Sequence, residues 1–179
     1  MNVVETNEIA AGTVERNLPA GDEAGFVAEL GRRLRMEGLP VDRLILHRRT
    51  MHPEILARAV AWAPHEPIEI YDRDHGLDLS ENFVSSPLHQ VMETGESLVV
   101  RLGPSEDHAS ARGLPLRGRH LIELVILPVG NAEGPVTTLT IGTARAGGFG
   151  ADDKHMLAQI ELCLRTLMKR PWRRTRRRV

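Results

Sequence analysis

Residues 121–129 form a nearly uninterrupted apolar run, Leu-Ile-Glu-Leu-Val-Ile-Leu-Pro-Val, which constrains the fold more than any other part of the chain. A strand this apolar is typical of the middle of a sheet that is covered on both faces. A turn signal follows at residues 131–134, and residues 136–144 return as the antiparallel partner. The sequence therefore predicts a central hairpin inside a layered domain.

Glu123 interrupts this apolar run, and a buried carboxylate needs a partner. Arg101 and His47 are the candidate partners elsewhere in the chain. A structural ion pair, or a position at the edge of the sheet, is the alternative to a functional role for Glu123.

The region before this hairpin shows further strands with a period of two. Strands are predicted within residues 41–49, 56–62, 68–71 and 97–102. A short helix is predicted between the last two, because Ser86 can cap it, Pro87 suits its first turn and Gly95 can end it.

Helices are predicted at both ends of the domain. The first begins at the N-cap Asp22 and stops at Gly38 and Pro40. The last is capped by Asp152 or Asp153 and runs to about residue 170. Its apolar residues are spaced 3, 4 and 3 apart and either pack on the sheet or partly pair with a second subunit: Leu157, Ile160, Leu164 and Leu167. This order predicts an α+β fold, an antiparallel sheet with both terminal helices on one side.

Composition and charge exclude several classes of protein. The single cysteine, Cys163, rules out an internal disulfide framework and fits a cytoplasmic location. No apolar run reaches the length of a membrane span, and the polar N-terminus does not resemble a signal peptide, so no membrane partner is expected.

The net charge of −1 averages two unlike segments. Residues 169–179 hold seven basic side chains and no acid, whereas the rest of the chain is acidic. We divide the chain into a loose arm (1–20), a globular domain (21–169) and a basic tail (170–179). Such a tail can bind phosphates or serve as a linker; the linker is the preferred interpretation, and no nucleic-acid partner is expected.

Three stretches in order resemble the GAF domain, a module that senses small molecules. They are residues 86–100, which end in Thr-Gly-Glu-Ser-Leu-Val-Val, residues 121–129, and residues 139–157 with the turn Arg-Ala-Gly-Gly-Phe. The resemblance implies a GAF/PAS-like antiparallel sheet with flanking helices.

Residues 38–44, 46–54 and 83–88 narrow the resemblance to the N-terminal GAF-like region of bacterial class III adenylate and guanylate cyclases. That resemblance implies a regulatory domain that normally precedes a catalytic cyclase domain. The chain stops about where such a domain would begin, so we expect no cyclase activity and no catalytic residues in it.

A ligand pocket is expected between one face of the sheet, residues 72–88 and the Gly- and Pro-rich loop at residues 103–118. Its seven candidate residues are His47, Trp62, Tyr71, His75, Phe83, Arg101 and Glu123.

No metal or cofactor is expected. His75 lies near Asp72 and Asp74, but the sequence has no His-Glu-x-x-His motif and no cysteine pair. Haem bound by His47 or His120 has little support, because the sequence shows little of the expected aromatic pocket.

The leading hypothesis is therefore a homodimeric, cytoplasmic GAF-like regulatory domain that binds an unidentified small molecule and acts on a cyclase output domain. The alternatives are a small metal-dependent enzyme on the same fold and a dimerisation module without a ligand.

Overall fold

The computed structural model describes residues 8, 11–12, 22–49, 55–74, 80–102, 114–116, 120–130 and 137–168. Within them the chain forms a six-stranded antiparallel sheet flanked by helices, as the sequence predicts. The elements are α1 (Glu23–Met36), β1 (Arg43–Arg49), β2 (Ile55–Trp62), β3 (Glu69–Asp74), α2 (Glu81–Val84), α3 (Pro87–Thr94), β4 (Leu98–Arg101), β5 (Glu123–Pro128), β6 (Thr137–Thr143) and α4 (Ala151–Leu167).

The strand order is β3-β2-β1-β6-β5-β4, so the first and last strands in sequence lie side by side at the centre. β5 and β6 pair with Val125 opposite Ile141, which confirms the predicted hairpin strands. β1 and β6 pair with Leu46 opposite Leu139 and His47 opposite Thr138. The third strand, predicted at residues 68–71, continues to Asp74. The predicted hairpin turn at residues 131–134 lies outside the described residues.

Helices α1 and α4 cover one face of the sheet, which we call the helix face. The Asp22 side chain accepts a hydrogen bond from the Gly25 amide at 2.8 Å and caps α1, as predicted. An apolar cluster fills most of the space between these helices and the sheet. Its principal members are Phe26, Val27, Leu30, Leu34, Leu44, Leu46, Val60, Trp62, Val125, Leu127, Leu139, Ile141, Leu157, Ile160 and Leu164.

The seam predicted on the last helix packs against the chain's own sheet. Leu157, Ile160 and Leu164 are at most 1% exposed, and Leu167 is half-buried against the same cluster. The first three are therefore unavailable as a dimer seam. The predicted cap is also wrong: Gly150 is the N-cap of α4, and the Asp153 carboxylate accepts the Gly150 N–H at 2.7 Å.

The other face of the sheet, which we call the site face, carries smaller elements. Helix α3 begins at Ser86, whose hydroxyl accepts the His89 amide at 3.2 Å, and ends at Gly95 with φ +68°, both as predicted. Leu88 and Val91 of α3 pack on Ile126 of β5. This helix therefore lies beside the part of the sheet that holds the polar residues described below.

The boundaries proposed for the arm (1–20) and the tail (170–179) fall almost wholly outside the described residues. Among the described helices, none is both long and apolar enough to cross a membrane.

Candidate ligand-binding site

A row of polar side chains crosses the site face where β6, β1, β2 and β3 lie side by side. Thr138 is opposite His47, His47 is opposite Ala59, and Ala59 is opposite Tyr71. Because side chains alternate along a strand, Arg43 of β1 and Thr140 of β6 point to the same face as this row. The β2 residues on the same face are alanines: Ala57, Ala59 and Ala61.

Four of these residues, which we call the polar cluster, are buried without full hydrogen bonding: Arg43, His47, Thr138 and Thr140. Each is at most 3% exposed. Both ring nitrogens of His47, both threonine hydroxyls, and Nε and Nη1 of Arg43 have no hydrogen-bond partner among the described residues. A buried polar group without a partner costs about 1–3 kcal/mol, and such groups are uncommon in folded proteins. The cluster therefore presents unused donors and acceptors on a single face.

His47 is neutral at physiological pH. Burial, and after it the positive charge of Arg73, lowers its pKa to about 3. A neutral imidazole offers one donor and one acceptor. His47 can therefore recognise a polar group on a ligand without adding charge to the site.

Arg43 carries the fixed charge of the cluster. Its Nη2 donates to the Pro115 carbonyl at 3.1 Å and lies 2.6 Å from Glu69 Oε2. Tyr71 lies beside this pair, and burial, followed by a hydrogen bond with Glu69, raises its pKa. Arg43 thus extends the cluster from the centre of the sheet to its β3 edge.

The seven residues predicted for the pocket do not share one face. His47 and Tyr71 belong to the row, and Phe83 packs on the same face with Leu88 and Val91. His75 lies outside the described residues. Trp62, Arg101 and Glu123 lie on the helix face, so they cannot line the same pocket as His47. In particular, Trp62 packs over Gly31 of α1.

Glu123 has structural partners on the helix face, and His47, the other partner considered from the sequence, lies on the site face and does not neutralise it. Its Oε2 lies 3.2 Å from Arg101 Nε, as predicted, and its Oε1 lies 3.3 Å from Lys154 Nζ of α4. The Phe149 N–H also donates to Oε1 at 3.1 Å. Gly148 has φ +71°, and a Cβ there would lie 2.9 Å from Oε2. Glu123 therefore ties the start of β5 to the start of α4.

Arg43, Thr138 and Thr140 were not among the residues predicted from the sequence. A signal was present in β6, where hydroxyl residues alternate with Leu139 and Ile141 in a strand predicted to be central. Hydroxyls at every second position of a buried strand must all lie on one face, and each needs a partner.

Two kinds of catalytic centre have no support among the described residues. No group of three or more His, Cys, Asp or Glu side chains converges there as a metal site requires. Cys163 lies half-buried on α4, where burial raises its pKa. The only thiol of the chain is therefore on the opposite side of the sheet from the polar cluster.

Comparison with known proteins establishes the fold. No family model and no curated protein matches the sequence. The solved structures with similar folds include the phycoerythrobilin-bound GAF domain of a cyanobacterial phytochrome, with a TM-score of 0.58 and 11% identity over 93% of this chain and 94% of that one. The GAF domain of a phosphoenolpyruvate-protein phosphotransferase from Coxiella burnetii gives 0.56 and 14%, over 93% and 94%.

An enzyme also shares the fold. The free methionine-R-sulfoxide reductase from Neisseria meningitidis, solved with its substrate, has a TM-score of 0.55 and 12% identity over 93% of this chain and 89% of that one. Identities this low establish the fold and leave the function open.

Proposed function

We propose that this chain, which has the fold of GAF domains, is a cytoplasmic regulatory domain that binds a small polar molecule at the polar cluster. The observation that carries the proposal is the concentration of buried, unpartnered polar atoms in Arg43, His47, Thr138 and Thr140. Together they would cost several kcal/mol if nothing satisfied them. A bound molecule that supplies the missing partners would offset that cost.

Binding fits the cluster better than nucleophilic catalysis does. A threonine or serine nucleophile requires a base within hydrogen-bonding reach. The hydroxyls of Thr138 and Thr140 have no such partner among the described residues, and the His47 ring nitrogens make no hydrogen bond there either. A thiol-dependent reduction at the cluster is also disfavoured, because Cys163 lies across the sheet.

Regulation would follow from the position of the cluster on β1 and β6. The same two strands carry Leu44, Leu46, Leu139 and Ile141 on the helix face. A ligand that binds two states of the domain with different affinity would shift their populations and change the packing of α4.

The test is native mass spectrometry of the full chain purified from its host. We expect a retained small molecule that Thr140→Val removes, since valine lacks the hydroxyl. Thr143→Val is the matched control, because Thr143 is equally buried on the same strand but points to the helix face. A protein without a retained molecule, or equal retention in both variants, would contradict the proposal.

The proposed partner is a class III cyclase catalytic domain. This part of the proposal is supported by the resemblance of residues 38–44, 46–54 and 83–88 to the N-terminal region of such cyclases. The decisive observation is the genomic locus. A catalytic cyclase domain in the same reading frame or an adjacent gene supports the link, and an unrelated neighbourhood removes it.

We also propose that the domain forms a homodimer through the outward side of α4. Leu162 is 64% exposed there, and Ala158 and Thr166 lie one turn to either side of it. The expected result is a dimer by light scattering that Leu162→Glu dissociates and Leu162→Ala weakens less. A monomeric wild-type protein would refute this part of the proposal.

A further inference from the structure

The charged side chains of the site face are predominantly positive. By strand alternation, Arg43, Arg49 and Arg73 point to this face, and Glu69 is the acid that shares it among the described strand residues. Burial lowers the pKa of Arg73, and the positive charge of Arg73 contributes to the lowered pKa of His47. The strands therefore give this face an excess of positive charge.

Arg43 is the most deeply buried of these arginines. Its side chain is 2% exposed, whereas the side chain of its counter-ion Glu69 is 37% exposed. The Nη2 group is used by Glu69 and by the Pro115 carbonyl, but Nε and Nη1 remain without partners among the described residues. Buried cationic donors are satisfied best by an anionic oxygen, because hydrogen bonds to a charged acceptor are roughly twice as strong as neutral ones.

The remaining members of the cluster are uncharged. Thr138 and Thr140 offer hydroxyls, and His47 offers one donor and one acceptor. Arg43 and His47 are four residues apart on one strand, which separates their Cα atoms by about 13 Å. The cluster is thus positive at one end and neutral but polar at the other.

We propose that the small molecule bound here carries an anionic oxygen group, a carboxylate or a phosphate, that is held by Nε and Nη1 of Arg43. The neutral polar part of the molecule then lies against His47, Thr138 and Thr140. This inference rests on the proposed function, since it names the chemical class of the ligand for the same site.

The first test measures the melting temperature of the full chain at pH 7.5 with inorganic phosphate, with succinate and with glycerol, at constant ionic strength. Saturable stabilisation by phosphate or succinate but not by glycerol is expected. The anion that raises the melting temperature at the lower concentration indicates whether the natural group is a phosphate or a carboxylate. No response to either anion would overturn the inference.

The second test changes the charge next to Arg43. Glu69→Gln removes the nearby negative charge, and we expect the anion to bind roughly tenfold more tightly, as for a neighbouring charge in a partly buried site. Asp72→Asn is the matched control, because Asp72 lies on the same strand but pairs with Arg58 at 2.6 Å on the helix face. Equal anion affinity in the two variants would refute the role of Arg43.

Arg43→Gln should abolish the anion response, provided that the variant folds; the Glu69→Gln measurement decides the question even if it does not. Different outcomes would contradict the proposed function and the inference about charge. A retained neutral molecule that depends on Thr140, without any anion response, would remove only the inference about charge. Retention unaffected by Thr140→Val would remove the site itself.

Discussion

Glu123 on the helix face and the polar cluster on the site face are equally buried but differ in their hydrogen bonding. On the helix face, Glu123 is 1% exposed and meets Arg101, Lys154 and the Phe149 amide. On the site face, His47 and the hydroxyls of Thr138 and Thr140 are as deeply buried but have no partner among the described residues.

Burial alone therefore does not mark the candidate site; the concentration of buried polar atoms without a hydrogen bond on neighbouring strands does. A polar group satisfied within the chain contributes to the fold, whereas one without partners leaves a desolvation cost that a ligand can offset. Four predictions test the two faces, three through their buried polar groups and one through the packing of the helix face, beginning with the largest expected effect.

Acid should destabilise the protein through His47. Its pKa is about 3 in the folded state and near 6.5 in the unfolded state, so the unfolded chain binds more protons as the pH falls between these values. The free energy of unfolding is therefore highest above pH 6.5 and falls by about 5 kcal/mol as the pH drops to 3. Urea unfolding of wild type and His47→Leu at pH 7, 5 and 4 should show a loss that the variant lacks. Parallel pH profiles would mean that His47 protonates without penalty.

Glu123→Ala should lower the free energy of unfolding by about 3 kcal/mol, since the buried Phe149 amide loses its acceptor. Glu123→Gln keeps an acceptor and should cost less. Glu93 is the control, because its side chain is 71% exposed, and Glu93→Ala should change the free energy little. Thermal or urea unfolding measures all three. Similar costs for the Glu123 and Glu93 variants would contradict the structural role of Glu123.

Gly31→Ala should destabilise the helix face by roughly 2 kcal/mol through overpacking. A methyl group at Gly31 would lie 2.4 Å from Trp62 Cε3, whereas one at Gly147 would meet no atom within 4 Å. Gly147→Ala is therefore the control, expected to unfold close to the wild-type urea concentration. Equal midpoints for both variants would mean that Trp62 does not pack on α1 as described.

The smallest expected effect is the change in free energy of unfolding when two threonines of β6 are replaced by valine. Thr143 Oγ1 accepts the Arg145 amide at 3.2 Å, so Thr143→Val should cost about 1 kcal/mol. The ligand-free Thr140→Val protein should be unchanged or slightly more stable, because its hydroxyl has no partner to lose. Unfolding midpoints distinguish the two. A clear destabilisation by Thr140→Val would indicate an internal partner and weaken the site.

The helix ends that depend on a few adjacent residues were predicted correctly from the sequence in three cases. Asp22, Ser86 and Gly95 lie at helix ends where the sequence placed them, because a cap depends on a few adjacent residues. The cap of α4 was predicted two or three residues late. Arg145 pairs with Asp153 and bonds the Gly148 carbonyl, which folds the preceding turn so that the helix begins after Gly150.

The candidate site was only partly predictable. His47 and Tyr71 were named, but Trp62, Arg101 and Glu123 belong to the other face, and Arg43, Thr138 and Thr140 were overlooked. The missing information was how the strands are ordered and aligned. Thr138 is next to His47 only because β6 pairs with β1, and 90 residues of chain separate the two.

The sequence by itself determined the order of helices and strands, and which residues of each strand share a side. An alternation with a period of two separates two sets of side chains but does not say which set meets the terminal helices. Only the tertiary structure decided that, and with it which buried polar groups have internal partners. Hydrogen bonds such as that from Phe149 to Glu123 join residues distant in sequence, so they arise from packing and not from local pattern.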